Sequence, residues 1–210
     1  MRITLPEHMQ RALTIFISAC LIFSMAAYIA VTPRPKEQFF QLYALGENWT
    51  AEHFYPNDDP TIPLDTPVKW FLGITNSMGS VQYVALKVKL GNSTLDPPDE
   101  SEAKPAPIPT LFEFRKVLSN NETWEFPFTW SIKQTQVVGD AIYITRLTIN
   151  DDTITVSGIN GKHGYNYRLI FELWSYDVDE GEFIFGWFAS QERRYAWLQL
   201  WFNATEIGKT

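Results

Sequence analysis

Three histidines, one cysteine and two crowded groups of carboxylates are the residues of this chain best suited to catalysis or metal binding. His8, His53 and His163 are scattered in sequence, and no serine sits in a G-x-S-x-G turn, so no nucleophile comes with a base beside it. There is no H-E-x-x-H and no Cys-His cluster, which removes zinc sites of familiar spacing. Cys20 lies in an apolar run, where a thiol behaves as a small hydrophobe, and a single cysteine excludes an intrachain disulfide. Asp177, Asp179, Glu180 and Glu182 crowd one turn, and Asn57, Asp58, Asp59 and Asp65 crowd another. Their spacing does not match an EF-hand loop, and charged hairpin tips account for them. A glycosidase needs two converging carboxylates, and nothing in the sequence selects a pair. The expectation is a chain with no catalytic residue, no metal site and no cofactor.

Aromatic side chains offer a different chemistry, that of binding. The chain has eight Trp, nine Tyr and fifteen Phe in 210 residues. Tyr195, Trp197 and Trp201 lie near the C-terminus, with Trp197 and Trp201 on one side of an alternating strand. Exposed in a row, such rings stack on sugars or anchor a partner, whereas buried rings fill the space between sheets. Trp124 and Trp130 are expected in the core, and Tyr195, Trp197 and Trp201 are the candidate interaction surface. The net charge of −7 argues against nucleic acid, which needs clustered Lys and Arg.

These residues are positioned by two kinds of element. Residues 12–31, ALTIFISACLIFSMAAYIAV, carry no charge, and twenty helical residues span about 30 Å, the depth of a bilayer's hydrocarbon. The segment predicts a single-pass anchor in the lipid bilayer of the cell membrane. Residues 1–11 would then be cytoplasmic and the C-terminal domain extracellular. Small residues around Ser24-Met25-Ala26 fit a cleaved signal, but the apolar run continues to Val31, which favours retention. A tether at 32–38 contains Pro33 and Pro35 and favours extended backbone. Beyond it lie four Asn-x-Ser/Thr acceptors for glycan, at Asn48, Asn92, Asn121 and Asn203.

From residue 39 the apolar residues recur every second position. Val68, Trp70, Leu72 and Ile74 share a face, as do Val84, Leu86, Val88 and Leu90 against Lys87 and Lys89. Trp124, Phe126, Phe128, Trp130 and Ile132 repeat the pattern. Eight or nine short strands with turns at Asn150–Asp152, Asn160–Lys162 and Asp179–Gly181 predict a mainly β chain. The expected fold is an immunoglobulin-like antiparallel β-sandwich over 39–210, preceded by the transmembrane helix. Residues 91–109, with five prolines and four acids, read as an exposed, mobile loop. Arg193 and Arg194 read as a solvated turn.

Several of these residues carry a resemblance. Leu42-Tyr43-x-Leu45-Gly46, then Tyr55-Pro56, then a strand ending in Gly73-Ile74-Thr75-Asn76, with Tyr167-Arg168-Leu169 running to Leu173-Trp174, resembles the archaeal domain-of-unknown-function family 1616. The resemblance implies a membrane protein of archaea whose β-rich domain lies outside the cell and whose biochemical role is not established. Together with the anchor it gives the functional expectation: a non-catalytic cell-surface interaction module with a protein partner. An accessory subunit, whose helix packs through Ala19, Ser24, Ala26 and Ala27, is one alternative. A glycan-binding or glycan-processing surface protein is the other.

Overall fold

A computed structural model describes residues 6–32 and 37–205. Most of the tether, 33–36, lies outside the described residues. The chain divides into two compact units, 1–36 and 37–210.

The first unit is one helix, α1 (Glu7–Val31), with no buried residue. It starts five residues before the apolar run because Pro6 leads into a polar turn in which Arg11 pairs with Glu7 one turn earlier. Its last turn is closed by Thr32, whose backbone N–H and hydroxyl both donate to the Tyr28 carbonyl. It is long and apolar enough to cross a membrane, a property that signal sequences share.

The second unit is a β-sandwich. Its strands are β1 (Phe39–Leu45), β2 (Thr61–Ile62), β3 (Val68–Ser77), β4 (Gln82–Asn92), β5 (Thr110–Leu118), β6 (Thr123–Val138) and β7 (Ala141–Ile149). They continue with β8 (Asp152–Thr155), β9 (Asn160–Lys162), β10 (Tyr167–Asp177), β11 (Glu182–Phe185), β12 (Trp187–Ala189), β13 (Glu192–Arg194) and β14 (Trp197–Ala204). One sheet runs β1-β3-β6-β7-β8 with β9 on β7; the other runs β2-β14-β10-β4-β5 with β11 on β10. The ladders are antiparallel except β2 on β14.

The period-two faces meet in the core as the sequence predicts. Trp70, Leu72 and Ile74 of β3, Phe128, Trp130 and Ile132 of β6, and Leu86 and Val88 of β4 are all buried. Rings bridge the sheets: Phe171 of β10 lies edge-on to Phe128 at 5.1 Å and to Trp70 at 6.1 Å. Trp124 is half-buried and stacks on Phe126 at 4.3 Å.

Four local expectations need correction. Asn160–Lys162 is a strand on β7, and the reversal follows it at His163 and Asn166, both at positive φ. Arg193 and Arg194 belong to β13, and the turn before them is Ser190–Gln191. Apolar residues at alternate positions from Phe183 to Ala189 predict one strand, but it breaks at Gly186, whose φ of 79° suits glycine and whose Cβ would stand 2.1 Å from the Arg194 carbonyl oxygen. The fourth is the loop after β4. It is anchored rather than mobile, and the next subsection gives the reason.

Candidate functional site

Side chains on β4 and β10 point alternately into the core and out of the sandwich. Lys89, Ile170 and Glu172 belong to the outward set, yet all three are buried. The covering element is the proline-rich loop. Asn92, the last residue of β4, starts it: its Oδ1 accepts from Thr94 N, Thr94 Oγ1 and Leu95 N. Asp99 folds the tip, accepting from Ser101 N at 2.8 Å and Ser101 Oγ at 2.6 Å, and its backbone pairs with Lys104. The returning limb lays Ala106 and Ile108 on Ile170 as a second small apolar cluster.

A buried ion pair fixes that limb. Lys89 Nζ lies 2.9 Å from Glu172 Oε2 and donates to the Ala106 carbonyl at 2.8 Å. The Ala106 N–H donates to Glu172 Oε1 at 2.7 Å, and Trp174 Nε1 donates to Oε2 at 3.0 Å. Each charge thus holds one backbone group of Ala106, and the cost of burying both is offset by geometry that leaves few lone pairs or protons unused. Beside it, Lys87 stands 3.4 Å over the Trp174 ring, and desolvation pushes its ammonium pKa down.

The clamped loop and Trp197 enclose an open groove of about 630 Å³. Its walls are Pro97, Pro98, Pro105 and Pro107 with the carboxylates of Asp96 and Glu102. Trp197 is half-buried against the apolar cluster, and its Nε1 donates to Glu100 Oε1 at 2.9 Å. Of the three aromatic candidates, Trp197 lines this groove and Tyr195 lines a neighbouring pocket that shares Glu100 and Ser101. Trp201 belongs to neither; it lies over the Arg168 guanidinium at 4.9 Å, and its carbonyl accepts the Tyr55 hydroxyl. β14 lies between β2 and β10 in its sheet, although β2 pairs it only at Asn203 and Ala204.

The glycan acceptors differ in access. Asn48 and Asn121 are exposed, and Asn203 is half-buried with its Oδ1 accepting from Asn166 N. Asn92 is buried, and the Nδ2 that a glycan would occupy donates to the Asn160 carbonyl at 2.7 Å. The folded chain therefore leaves no room for a glycan at Asn92.

Among the described residues no three His, Cys, Asp or Glu side chains gather as a metal site. His53 Nδ1 lies 2.7 Å from Asp58 on an exposed loop, and that hydrogen bond and charge raise the imidazole pKa above its usual 6.5. Stability from this pair is present in full below the unfolded pKa and is lost as pH rises through the higher folded value. Proton NMR titration should show His53 titrating above 6.5, and Asp58→Ala should bring it back down. An unchanged midpoint in the variant would refute the pairing. Asp177 accepts from Asp179 N at 2.9 Å, so the acidic turn there caps itself.

The stretches Leu42–Leu45 and Gly73–Asn76 lie on the paired strands β1 and β3. Tyr43 pairs with Gly73 in register, and its ring covers the place where a Cβ at Gly73 would stand. Its hydroxyl donates to Glu125 at 2.5 Å. Asn76 is buried and joins two turns: Nδ2 donates to Ser80, Leu118 and Ser119 carbonyls, and Oδ1 accepts from Met78 N. Their work is structural. Compared with known proteins, the chain matches no family model, and no curated protein matches it either.

Proposed function

We propose that this chain is a non-catalytic interaction module of a cell surface or envelope, held in the membrane by α1 with residues 1–11 cytoplasmic and the β-domain outside. The observation that carries the reading is the groove between the proline-rich loop and Trp197, made rigid by the Lys89–Glu172 pair. A preformed groove does not lose loop entropy on binding, and proline walls around a half-exposed indole are suited to an extended segment of a partner protein. Asp96, Asp99, Glu100 and Glu102 line the groove against one cation, Lys104, which pairs with Glu102, and that surplus of carboxylates favours a segment carrying Lys or Arg. Asn48 and Asn121 are the accessible glycan acceptors.

The test is purification of the tagged full chain from its native membranes in mild detergent, with quantitative mass spectrometry of retained proteins. A stoichiometric partner is expected, lost by about tenfold or more in Trp197→Ala combined with Glu100→Ala, as befits an aromatic anchor. A partner retained by α1 after deletion of the β-domain would instead establish an accessory subunit assembled through the helix. Recovery of the protein alone after cross-linking would sink both readings.

A further inference from the structure

Strand β5 is the last of its sheet, and its outer side is open. The direction of its backbone groups follows from the ladders beside it. Leu173 N–H donates to the Ala196 carbonyl at 3.0 Å, on the β14 side of β10, so Glu172 and Trp174 face Lys87 and Ala85 of β4. Val84, Leu86 and Val88 therefore face Lys116, Phe114 and Phe112 of β5. The N–H and C=O groups of Glu113, Arg115 and Val117 point outward, and none has a hydrogen-bond partner among the described residues. Such an edge is a template for another strand unless its charges or twist forbid one. Here the charges are balanced. Arg115 pairs with Glu113 and lies 4.9 Å from the Phe183 ring centre, and Lys116 pairs with Glu122 at 3.1 Å. Phe114 is half-buried on this side, its ring centre 4.8 Å from those of Phe112 and Phe126.

We propose that β5 pairs antiparallel with β5 of a second copy, about a two-fold axis at Phe114, so that two β-domains share one continuous sheet. A self-complementary ladder that keeps each side chain on its own face passes its axis through one residue of the strand. Charge selects which. At Glu113, Arg115 or Lys116 the axis would oppose two like charges. At Phe112 or Val117 it would bring no opposite charges together. At Phe114 it sets Glu113 of each copy opposite Arg115 of the other and brings the two Phe114 rings side by side. The same register joins the groups that point outward, for each Glu113–Arg115 pair exchanges two backbone hydrogen bonds. A register shift leaves Leu111 without a counterpart on β4. The straight ladder is therefore confined to residues 112–116, and so short a contact makes a reversible dimer. No residue of 112–118 lines the groove beside Trp197, so the pairing stands apart from the reading of that site.

The test is sedimentation velocity of the full chain in density-matched detergent, over a series of protein concentrations. The parent is expected to dimerise reversibly. Glu113→Arg makes positions 113 and 115 both basic, and Arg115→Glu makes them both acidic, so each variant alone should dimerise about tenfold more weakly. Mixed one to one, the two variants should associate as tightly as the parent, because each then meets the opposite charge. A parent that stays monomeric up to about 1 mM would overturn the proposal and leave the edge to a different protein. Dimers as tight as the parent's in both single variants would overturn it too, placing the contact elsewhere on the chain. Variants that stay monomeric when mixed would refute the register. If Glu113→Arg loses its thermal transition, Arg115→Glu alone carries the test, since that side chain is exposed, and an unweakened dimer there overturns the pairing.

Discussion

Replacing Glu172 by alanine should destabilise the β-domain by about 3–5 kcal/mol, because it leaves the Lys89 ammonium buried without its counter-charge. Urea unfolding followed by tryptophan fluorescence measures this directly. The Ala106 N–H and the Trp174 indole N–H lose their acceptor in the same step. Lys89→Met combined with Glu172→Leu should recover much of the loss, since two apolar side chains bury no charge. It should not recover all of it, because the Ala106 N–H stays without an acceptor, although the Ala106 carbonyl keeps the Ile108 N–H. The loop should come free in the single variant, so limited proteolysis ought to cut within residues 93–109 before the sheets unfold. A Glu172→Ala protein within about 1 kcal/mol of the parent, with an uncut loop, would show that the pair does not hold the groove together.

Asn76→Ala is the second large effect, about 3 kcal/mol, from the buried Leu118 carbonyl and Met78 N–H, which lose the Asn76 amide. One side chain here satisfies the turn after β3 and the turn between β5 and β6. Asn76→Asp should be worse at neutral pH, since a carboxylate would face the Ser80, Leu118 and Ser119 carbonyls in place of an amide donor. Burial among carbonyls raises the folded pKa of that new acid, so the variant is most stable below the ordinary carboxylate pKa and loses stability as pH rises. Chemical denaturation at pH 4 and pH 7 separates the two cases. Equal stability of Asn76→Asp at both pH values would exclude the carbonyl-facing geometry.

The Glu172 variant bears on the proposed function through rigidity. The groove beside Trp197 exists because the loop is ordered, and the loop is ordered by charges that sit on the outward face of a sheet. Binding by such a surface does not pay the entropy of ordering the loop at the moment of contact.

The helix and the core were legible from local sequence, because each depends on periodicity alone. Twenty uncharged residues predicted α1, and alternate apolar residues in β3, β4 and β6 predicted which faces are buried. The same rule misplaced Lys89, which alternation puts in solvent and the loop covers. Nothing local marks Lys89 and Glu172 as partners, for they lie 83 residues apart and meet only when β4 and β10 pair in register. The fate of Asn92 was hidden for the same reason: its tripeptide is that of a glycan acceptor, but the acceptor for its Nδ2 is the Asn160 carbonyl, 68 residues on. Sequence alone thus determined the helix, the β class and the apolar faces of the long strands, which are set by near neighbours, but not the short strands β2, β9, β12 and β13. Tertiary structure decided which outward side chains are buried and which aromatic rings line a groove, because those depend on partners that only the assembled sheets bring together.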